Sequence, residues 1–531
     1  MGGAGASRSI AAGLLAPDLR SPHLPGLGAQ WLFEVCSPVT VAGPRRIRTG
    51  FPSATGDTVT ARIGPGYVRR TMTSALLGSR LVVAGTHSGV GKTTVATGLL
   101  AALRRAGHRP AGAKVGPDFI DPGYHALACG RPPRNLDAWL CGPEVIPALA
   151  GRAAAGADVL VVEGVMGLFD GSADGTLSST ADVARLLDAP VVLVVDAGAM
   201  SGSVAALVHG FATFDPSVRI GGVILNQVGS PAHEVQLREA LAPLGWPVLG
   251  ALGRDDRLTW RDRHLGLVPV AERPAVVTEA LDRLAAAVAE QVDLDAVMRL
   301  AASAPPLAVD APPLPAWDGT DETPTRIAVA AGAAFTFTYT DTLDALMAAG
   351  AEPVPFDPLR DEALPEGVDG LIAGGGFPEV YAAELAANRP MLADVRRRVE
   401  GGLPTWAECG GLLWLCRTLD GRAMAGAVPA DAVMTGRLTL GYRAATVTTP
   451  APIGDPGAVV RGHEFHYSTV EPAGGALVFR SRFGERPDGF ATPTLLATYL
   501  HHHPGGDPSA VARFVETCRR SRSRSSGRCP T

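Results

Sequence analysis

Apolar residues fall into short unbroken runs separated by stretches with helical spacing. Leu81–Ala84, Val159–Val162 and Val191–Val195 are such runs, and Gly222–Leu225 is a fourth. Runs of this length without polar alternation suit strands buried on both faces of a parallel sheet. After Leu81–Ala84 comes a Gly-rich turn, and Thr93–Arg105 then carries apolar residues at helical spacing. The pattern predicts βαβ units and a doubly wound parallel sheet over residues 78–302. Residues 303–325 are Pro-rich and aperiodic, as an interdomain linker should be. A second α/β pattern follows over 326–515. It predicts a strand at Ile327–Ala330, a helix at Thr342–Ala349, a strand at Gly370–Ala373 ending in Gly374–Gly376, and a strand at Pro404–Ala407 running into Cys409.

The two ends lack this order. Residues 1–71 are rich in Pro, Gly, Ser and Arg. Ile10–Leu15 is too short and Pro-flanked for a secretory core, so the stretch is expected to be a disordered leader or a start assigned too early, with Met72 the natural first residue. Residues 516–531 form an Arg/Ser-rich tail, also expected to be disordered.

Length and composition narrow the function. The 531 residues leave room for about three domains. With 46% hydrophobic and 19% charged residues, the chain is not a solvating disordered one. A net charge of −5 gives no basic footprint for nucleic acid, and no apolar run is long enough to span a bilayer. Seven cysteines, without CxxC pairs or a four-ligand zinc pattern, point to a reducing, cytoplasmic setting. Of 47 basic residues only two are Lys, Lys92 and Lys114. Where Arg is used almost everywhere, Lys survives where a compact ammonium is needed and a planar guanidinium will not fit.

Both lysines fall in motifs. Thr86-His-Ser-Gly-Val-Gly-Lys-Thr-Thr94 lies between a predicted strand and helix, the context of a P-loop. Gly89 and Gly91 let backbone N–H groups face phosphate, Lys92 supplies charge to the terminal phosphates, and Thr93, followed by Thr94, can place its hydroxyl on Mg²⁺. Thr86 stands where the usual loop has its first Gly. Lys114-Val-Gly-Pro-Asp118-Phe-Ile-Asp121 puts a lysine and two carboxylates on one loop at a strand end. Glu163 directly follows a buried strand, in the position of a metal-ligating carboxylate, and Asp170 lies seven residues on. An ATP site with Mg²⁺ held by Thr93, Asp118 and Glu163 is expected.

In the second half, Trp406-Ala-Glu-Cys409-Gly-Gly is a strand-to-helix turn with a thiol at its apex. The helix N-terminus is expected to stabilise the thiolate. Gly374, Gly375 and Gly376 can offer N–H groups to an oxyanion. Tyr499-Leu-His501-His-His-Pro supplies a base. Cys129 and Cys416 read as inert core thiols.

Together THSGVGKTT, KVGPDFIDPGYH, NLDAW and VVEGVMGLFDG resemble the cobyrinic and hydrogenobyrinic acid a,c-diamide synthases over about residues 78–515. The first half is similar to the dethiobiotin synthetase type of P-loop fold. The second resembles the class I glutamine amidotransferase domain of the cobyrinate synthase type. The resemblance implies an ATP- and glutamine-dependent amide ligase acting on the a and c acetate groups of a corrinoid precursor. ATP and Mg²⁺ would be required, no nucleic acid or membrane would be a partner, and a homodimer is left open. It implies Cys409 as nucleophile and His501 as its activator. It assigns Asp118, Asp121, Glu163 and Asp170 to metal, ATP or substrate handling, with Asn135 and Asp137 as further site candidates. Phe119 occupies a position often filled by Tyr, with a bearing on substrate contact. Many class I enzymes carry an acid two residues after the catalytic His. Here that residue is His503, so the orienting acid is absent or comes from elsewhere. Arg461-Gly-His463-Glu-Phe-His466-Tyr-Ser also matches the family, and serves either interdomain structure or substrate contact. A cobyric acid synthase-like amidotransferase is the alternative within the class. A ParA-like partition ATPase is the alternative outside it, although its early loop Lys is missing here.

Overall fold

The computed structural model describes residues 75–171, 176–255, 274–309 and 324–526, with the short pieces 262–263, 266–267 and 270. The expected leader, including Met72, lies outside the described residues.

Seven parallel strands build the first sheet. In spatial order they are Arg134–Leu136, Pro110–Val115, Val159–Glu163, Arg80–Gly85, Val191–Asp196, Ile220–Val228 and Val248–Gly253. The apolar runs occupy its centre and are fully buried, because helices cover both faces. The helix Lys92–Arg105 starts one residue before the predicted Thr93.

The second sheet runs Ala351–Phe356, Thr325–Ala330, Gly370–Ala373, Thr405–Glu408, Leu495–Thr498 and Phe490–Thr492. Its first five strands are parallel and the last is antiparallel. A third, mainly antiparallel sheet is centred on the long strands Asp431–Val447 and Val459–Glu471. It was not expected, because Asp431–Val447 alternates small, polar and apolar residues, and much of it is only partly buried.

Two expectations need correction. The Arg/Ser tail does not begin at residue 516, because the helix Pro508–Ser526 runs through it. Phe514, Val515 and Cys518 of that helix are fully buried, Arg519 donates to the Ala349 carbonyl at 2.7 Å, and Arg522 reaches Asp369 at 3.3 Å. Arg519 and Arg522 cap and pair rather than solvate. The linker also starts later than residue 303. Leu307–Val309 pairs antiparallel with Ala75–Leu77, extending the first domain at both its edges. Buried Arg80 fastens this junction by donating to the carbonyls of Leu77 at 3.1 Å, Leu187 at 2.5 Å and Pro305 at 2.7 Å.

The two halves share a substantial polar and aromatic contact. Arg134, at the edge of the first sheet, forms buried ion pairs with Asp341 and, at 2.5 Å, Asp344 of the helix Thr340–Ala348. Tyr442 donates to Asp137 at 2.8 Å and stacks on Trp139.

Candidate active sites

The nucleotide loop joins the strand Arg80–Gly85 to the helix Lys92–Arg105. Gly89 and Gly91 have φ of 84° and 95°, which a β-carbon would strain. At Gly91 a β-carbon would also run into the Asn226 amide. Asn226 holds the loop by donating to the Val90 carbonyl at 2.8 Å. As one of only three Asn in the chain, with Asn135 and Asn388, it carried a compositional signal but no motif. Lys92 donates to the His87 carbonyl within its own loop at 3.1 Å. Burial and the nearby Lys114 lower its ammonium to about 8, so it sits ready for anionic company.

Beside the loop, Lys114 donates to Asp121 at 2.6 Å, Glu163 at 2.7 Å and the Gly164 carbonyl at 3.2 Å. Burial alone would lower this ammonium, but Asp121 and Glu163 outweigh it and raise it above its usual range. Burial likewise works against the Glu163 carboxylate, yet Lys114 and His125 hold it well below the ordinary range. For Asp121 burial and Asp118 prevail, and the carboxyl is pushed up. Thr93 donates to Glu163 at 2.6 Å and to Asp121 at 3.3 Å. Sequence reasoning missed His125, whose Nε2 lies 2.6 Å from the second oxygen of Glu163. Its place one helical turn after Asp121 was the available clue.

The remaining candidates divide. Asp118 spends Oδ1 on the N–H groups of Ile120 and Asp121, at 2.7 and 3.2 Å, which shapes its loop. Asn135 braces the same loop by donating to the carbonyls of Gly116 and Asp118 at 2.8 and 2.7 Å. Asp170 accepts from Gly167 N–H at 2.9 Å and helps sustain the charge on Lys92, so it faces the phosphate loop. Asp137 caps the short helix Ala138–Cys141 and binds Tyr442, and burial raises its carboxyl to about 6. Its contacts are with a helix end and the other domain.

The thiol site forms where three neighbouring strands of the second sheet end. Cys409 follows Thr405–Glu408 with φ 46° and ψ −99°, a strained elbow at the start of the helix Gly410–Leu415. Its N–H donates to the Thr498 carbonyl at 2.8 Å on the adjacent strand. Gly411 presses against the Ala373 carbonyl, where no side chain would fit. Gly410 packs on Gly376, and a β-carbon on Gly375 would lie 2.5 Å from the His501 ring. Cys409, His501 and Gly374–Gly376 are therefore brought together.

Two expectations about this site are corrected. Burial, with Glu379 and Glu408 nearby, pushes the Cys409 thiol up, and the Gly410 N–H only partly opposes this. The helix N-terminus does lower the thiol through the Gly410 N–H, but burial outweighs it, which gives a base a proton to take during attack. Gly375 is not a free oxyanion donor either, since its N–H donates to the Phe337 carbonyl at 3.3 Å. A β-carbon on Gly410 would lie 3.1 Å from the Gly376 nitrogen, so that amide sits beside the elbow.

His501 lies on the short strand His501–His502, paired with Val459–Glu471 so that His463 stands opposite it. The His463 ring stacks on His501 at 4.8 Å. The next residue, Glu464, is bound by Arg443 and Arg486 and lies 3.4 Å from His466. The Arg461–Ser468 motif thus supports the thiol site and reaches the domain contact, where Arg461 donates to the Trp139 carbonyl at 3.2 Å. His503 faces away from the thiol. Its Nδ1 is 3.2 Å from Cys141 Sγ and its Nε2 is 3.9 Å from Asp341.

Phe119 joins the two sites. It sits between Asp118 and Asp121, yet its ring lies 5.1 Å from Phe337, 4.3 Å from Tyr339, 5.7 Å from His463 and 5.2 Å from His501. A small cavity beside it is lined by Phe119 from one domain and by Tyr339, Trp406, Glu408 and His502 from the other.

Comparison with known proteins agrees with this pairing of sites. Residues 81–268 match the CobQ/CobB/MinD/ParA nucleotide binding domain, and residues 326–508 match the CobB/CobQ-like glutamine amidotransferase domain. The chain is 52% identical over 486 residues to hydrogenobyrinate a,c-diamide synthase of Streptomyces coelicolor, an alignment covering 85% of this chain and 100% of the relative. It is 49% identical to the enzyme of the same name from Thermobifida fusca, over 82% of this chain and 96% of the relative. Cobyrinate a,c-diamide synthase of Syntrophotalea carbinolica is 43% identical over 83% of this chain and 98% of its own length. With a nucleotide site and a glutaminase site in this order and relatives matched nearly end to end, the chain belongs to the a,c-diamide synthase family.

Proposed function

We propose that this enzyme amidates the a and c acetate carboxylates of a corrinoid precursor, one ATP and one L-glutamine being used for each amide. The observation that carries the reading is Phe119, on the acidic loop of the nucleotide site and against the glutaminase histidine. A carboxylate is a poor electrophile because its oxygen is a poor leaving group. Phosphoryl transfer from ATP would convert it to an acyl phosphate, with Lys92 and Lys114 opposing the charge that develops. Cys409 would attack the glutamine side-chain amide and release ammonia. The cavity beside Phe119, Tyr339 and Glu408 supports a route by which ammonia would reach the first domain and displace phosphate.

The donor set also fits Mg²⁺. Asp118, Asp121, Glu163 and Asp170 outnumber the two lysines, and Asp118 keeps one oxygen outside its loop bonds. Among the described residues no group of three or more His, Cys, Asp or Glu side chains forms a metal cage. A P-loop ion needs none, since it takes a hydroxyl, one or two carboxylates, phosphate and water. Thr93 with Asp118 or Glu163 would hold it, and when bound it would neutralise phosphate charge.

Cobalt-free hydrogenobyrinic acid is the favoured substrate, because relatives at 52% and 49% identity carry that name and the cobyrinate relative stands at 43%. Free thiols favour a reducing setting such as the cytoplasm. Cys129, Cys141, Cys409, Cys416 and Cys518 are free thiols, and no helix among the described residues is long and apolar enough to cross a membrane. The test is amidation of hydrogenobyrinic and cobyrinic acid side by side, with mass analysis of the products and hydroxylamine trapping of the acyl phosphate. A diamide from the cobalt-free acid at higher kcat/KM is expected. No amidation of either acid would overturn the reading.

A further inference from the structure

The acid that orients the catalytic histidine is missing from its usual place, two residues after His501. The His503 ring that stands there is turned into the domain contact with Cys141 and Asp341. Other acids near His501 are Glu464 and Glu408. Glu464 is the acid whose charge favours the His501 imidazolium, but its oxygens are committed to Arg443, Arg486 and His466, so it acts from a distance rather than as a hydrogen-bond acceptor. Among the described residues Glu408 has no Arg or Lys on it, and its carboxyl accepts from the Trp406 side chain. It immediately precedes the nucleophile, and one carboxyl oxygen accepts the His502 N–H at 3.1 Å. Its other oxygen, Oε2, lies 3.9 Å from Nδ1 of His501. That Nδ1 is buried without a hydrogen-bond partner among the described residues. Distances between catalytic groups are often long without substrate and tighten in the complex.

We propose that Glu408 is the positioning residue of the glutaminase site, accepting the Nδ1–H of His501 so that Nε2 is left free to receive the Cys409 proton. In this step the Sγ–H proton moves to Nε2, and Sγ bonds to the glutamine amide carbon. The C–N bond then breaks, and the departing nitrogen takes the proton from Nε2 as ammonia. In the active form of the site Glu408 is ionised, and it stabilises the imidazolium that forms between the two transfers.

The surroundings add a pH signature. Burial raises the Glu408 carboxyl to about 8 and lowers His501 to about 3. The titratable groups facing this pair are His463, Glu464 and His466 from Val459–Glu471, Tyr339 and His502 beside Glu408, and Cys409 with Glu379. Ionisation of Glu408 therefore turns the site on as pH rises through about 8.

The inference rests on the amidotransferase reading, which glutamine hydrolysis by the unaltered chain tests separately. Glu408→Gln in the full chain should lower kcat for glutamine hydrolysis by about 10²-fold, the low end for assisted proton transfer, with KM little changed. It should also abolish the rise in kcat near pH 8. Ammonia-dependent amidation is the control for the other domain. Glu408→Asp keeps the acid, drawn back by one methylene, and should retain the pH limb with an intermediate kcat. Glutaminase kcat within about threefold of wild type in Glu408→Gln, a margin of under 1 kcal/mol, would overturn the proposal. So would identical pH profiles for Gln and Asp. If Glu408→Gln fails to fold, the Asp profile alone decides, because loss of the limb there refutes the role.

Discussion

Replacing Lys114 by Met isolates the charge balance of the nucleotide site. The Lys114 ammonium lies 2.6 Å from Asp121 and 2.7 Å from Glu163, and the Glu163 side chain is wholly buried. Met preserves the stem and deletes the charge. Removing one partner of a buried pair costs about 3–5 kcal/mol, because the other charge is left uncompensated. His125 and Thr93 remain bonded to Glu163, which favours the lower figure. At about 2–4 °C per kcal/mol for a domain of this size, the transition of the nucleotide-binding half should fall by roughly 6–20 °C. The pH dependence has a definite sign. In the wild type Lys114 is raised, so its contribution is complete below about 10.4 and is lost only as pH climbs through its higher folded value. Glu163 is depressed, so its contribution is present above about 4.3 and is lost as pH falls through its lower folded value. In the variant the two carboxyls face each other without a cation, and Asp121, already pushed up by burial and Asp118, is the one that takes up a proton. The deficit is therefore full at neutral and alkaline pH and shrinks toward about pH 5, where the proton replaces the ammonium. Calorimetric melting of both chains at about pH 5 and about pH 8 reads this directly. A transition within about 2 °C of wild type at the higher pH, or an equal deficit at both, would refute the reasoning.

Cys409→Ser should abolish glutamine-dependent amidation while ammonia-dependent amidation stays within about twofold, as for a nucleophile confined to one domain. Equal loss with both nitrogen sources would contradict that division of labour. His501→Ala should lower glutamine hydrolysis by roughly 10²–10⁴-fold. His503→Ala, whose ring faces Cys141 and Asp341, should cost under about tenfold, or about 1.4 kcal/mol. The reverse order in a turnover assay would move the base to His503. Arg134→Met leaves Asp344 without its direct partner and Asp341 with Arg152 at 3.9 Å, and should cost about 3 kcal/mol. Glutamine hydrolysed per amide formed should then exceed one, and an unchanged ratio would mean that the contact does not govern transfer.

The first sheet was legible because a strand covered on both faces must be apolar throughout, and Val159–Val162 and Val191–Val195 have no other use. The elbow was legible for a steric reason: Gly410 and Gly411 are there because the Ala373 and Gly376 backbone approaches them. The antiparallel sheet was not legible. Asp431–Val447 is half exposed and keeps its register through pairing with Val459–Glu471, a long-range contact that leaves no apolar run. The tail was misread for a related reason. Composition weighs Arg and Ser as solvated, whereas Arg519 and Arg522 find a carbonyl and a carboxylate at the edge of a buried helix. Glu408 was quoted within a motif but given no role, since its partner His501 is 93 residues away and spacing carries no information about it.

The choice of cation at the two buried acid clusters follows from how the acceptors are spread. Around Lys114 the carboxylate oxygens at 2.6 and 2.7 Å and the carbonyl at 3.2 Å converge on a single nitrogen, and Thr93 draws on the same two carboxylates. A planar guanidinium would have to place two nitrogens and a carbon where one nitrogen fits. Arg134 meets the opposite geometry. Asp341 and Asp344 project from one face of a helix, three residues apart, and each takes a different nitrogen of the fork. A single ammonium could not serve both carboxylates so well. A composition that uses Arg almost everywhere therefore leaves Lys where acceptors converge on a point. Lys114 is such a place, and it lies beside the phosphate loop.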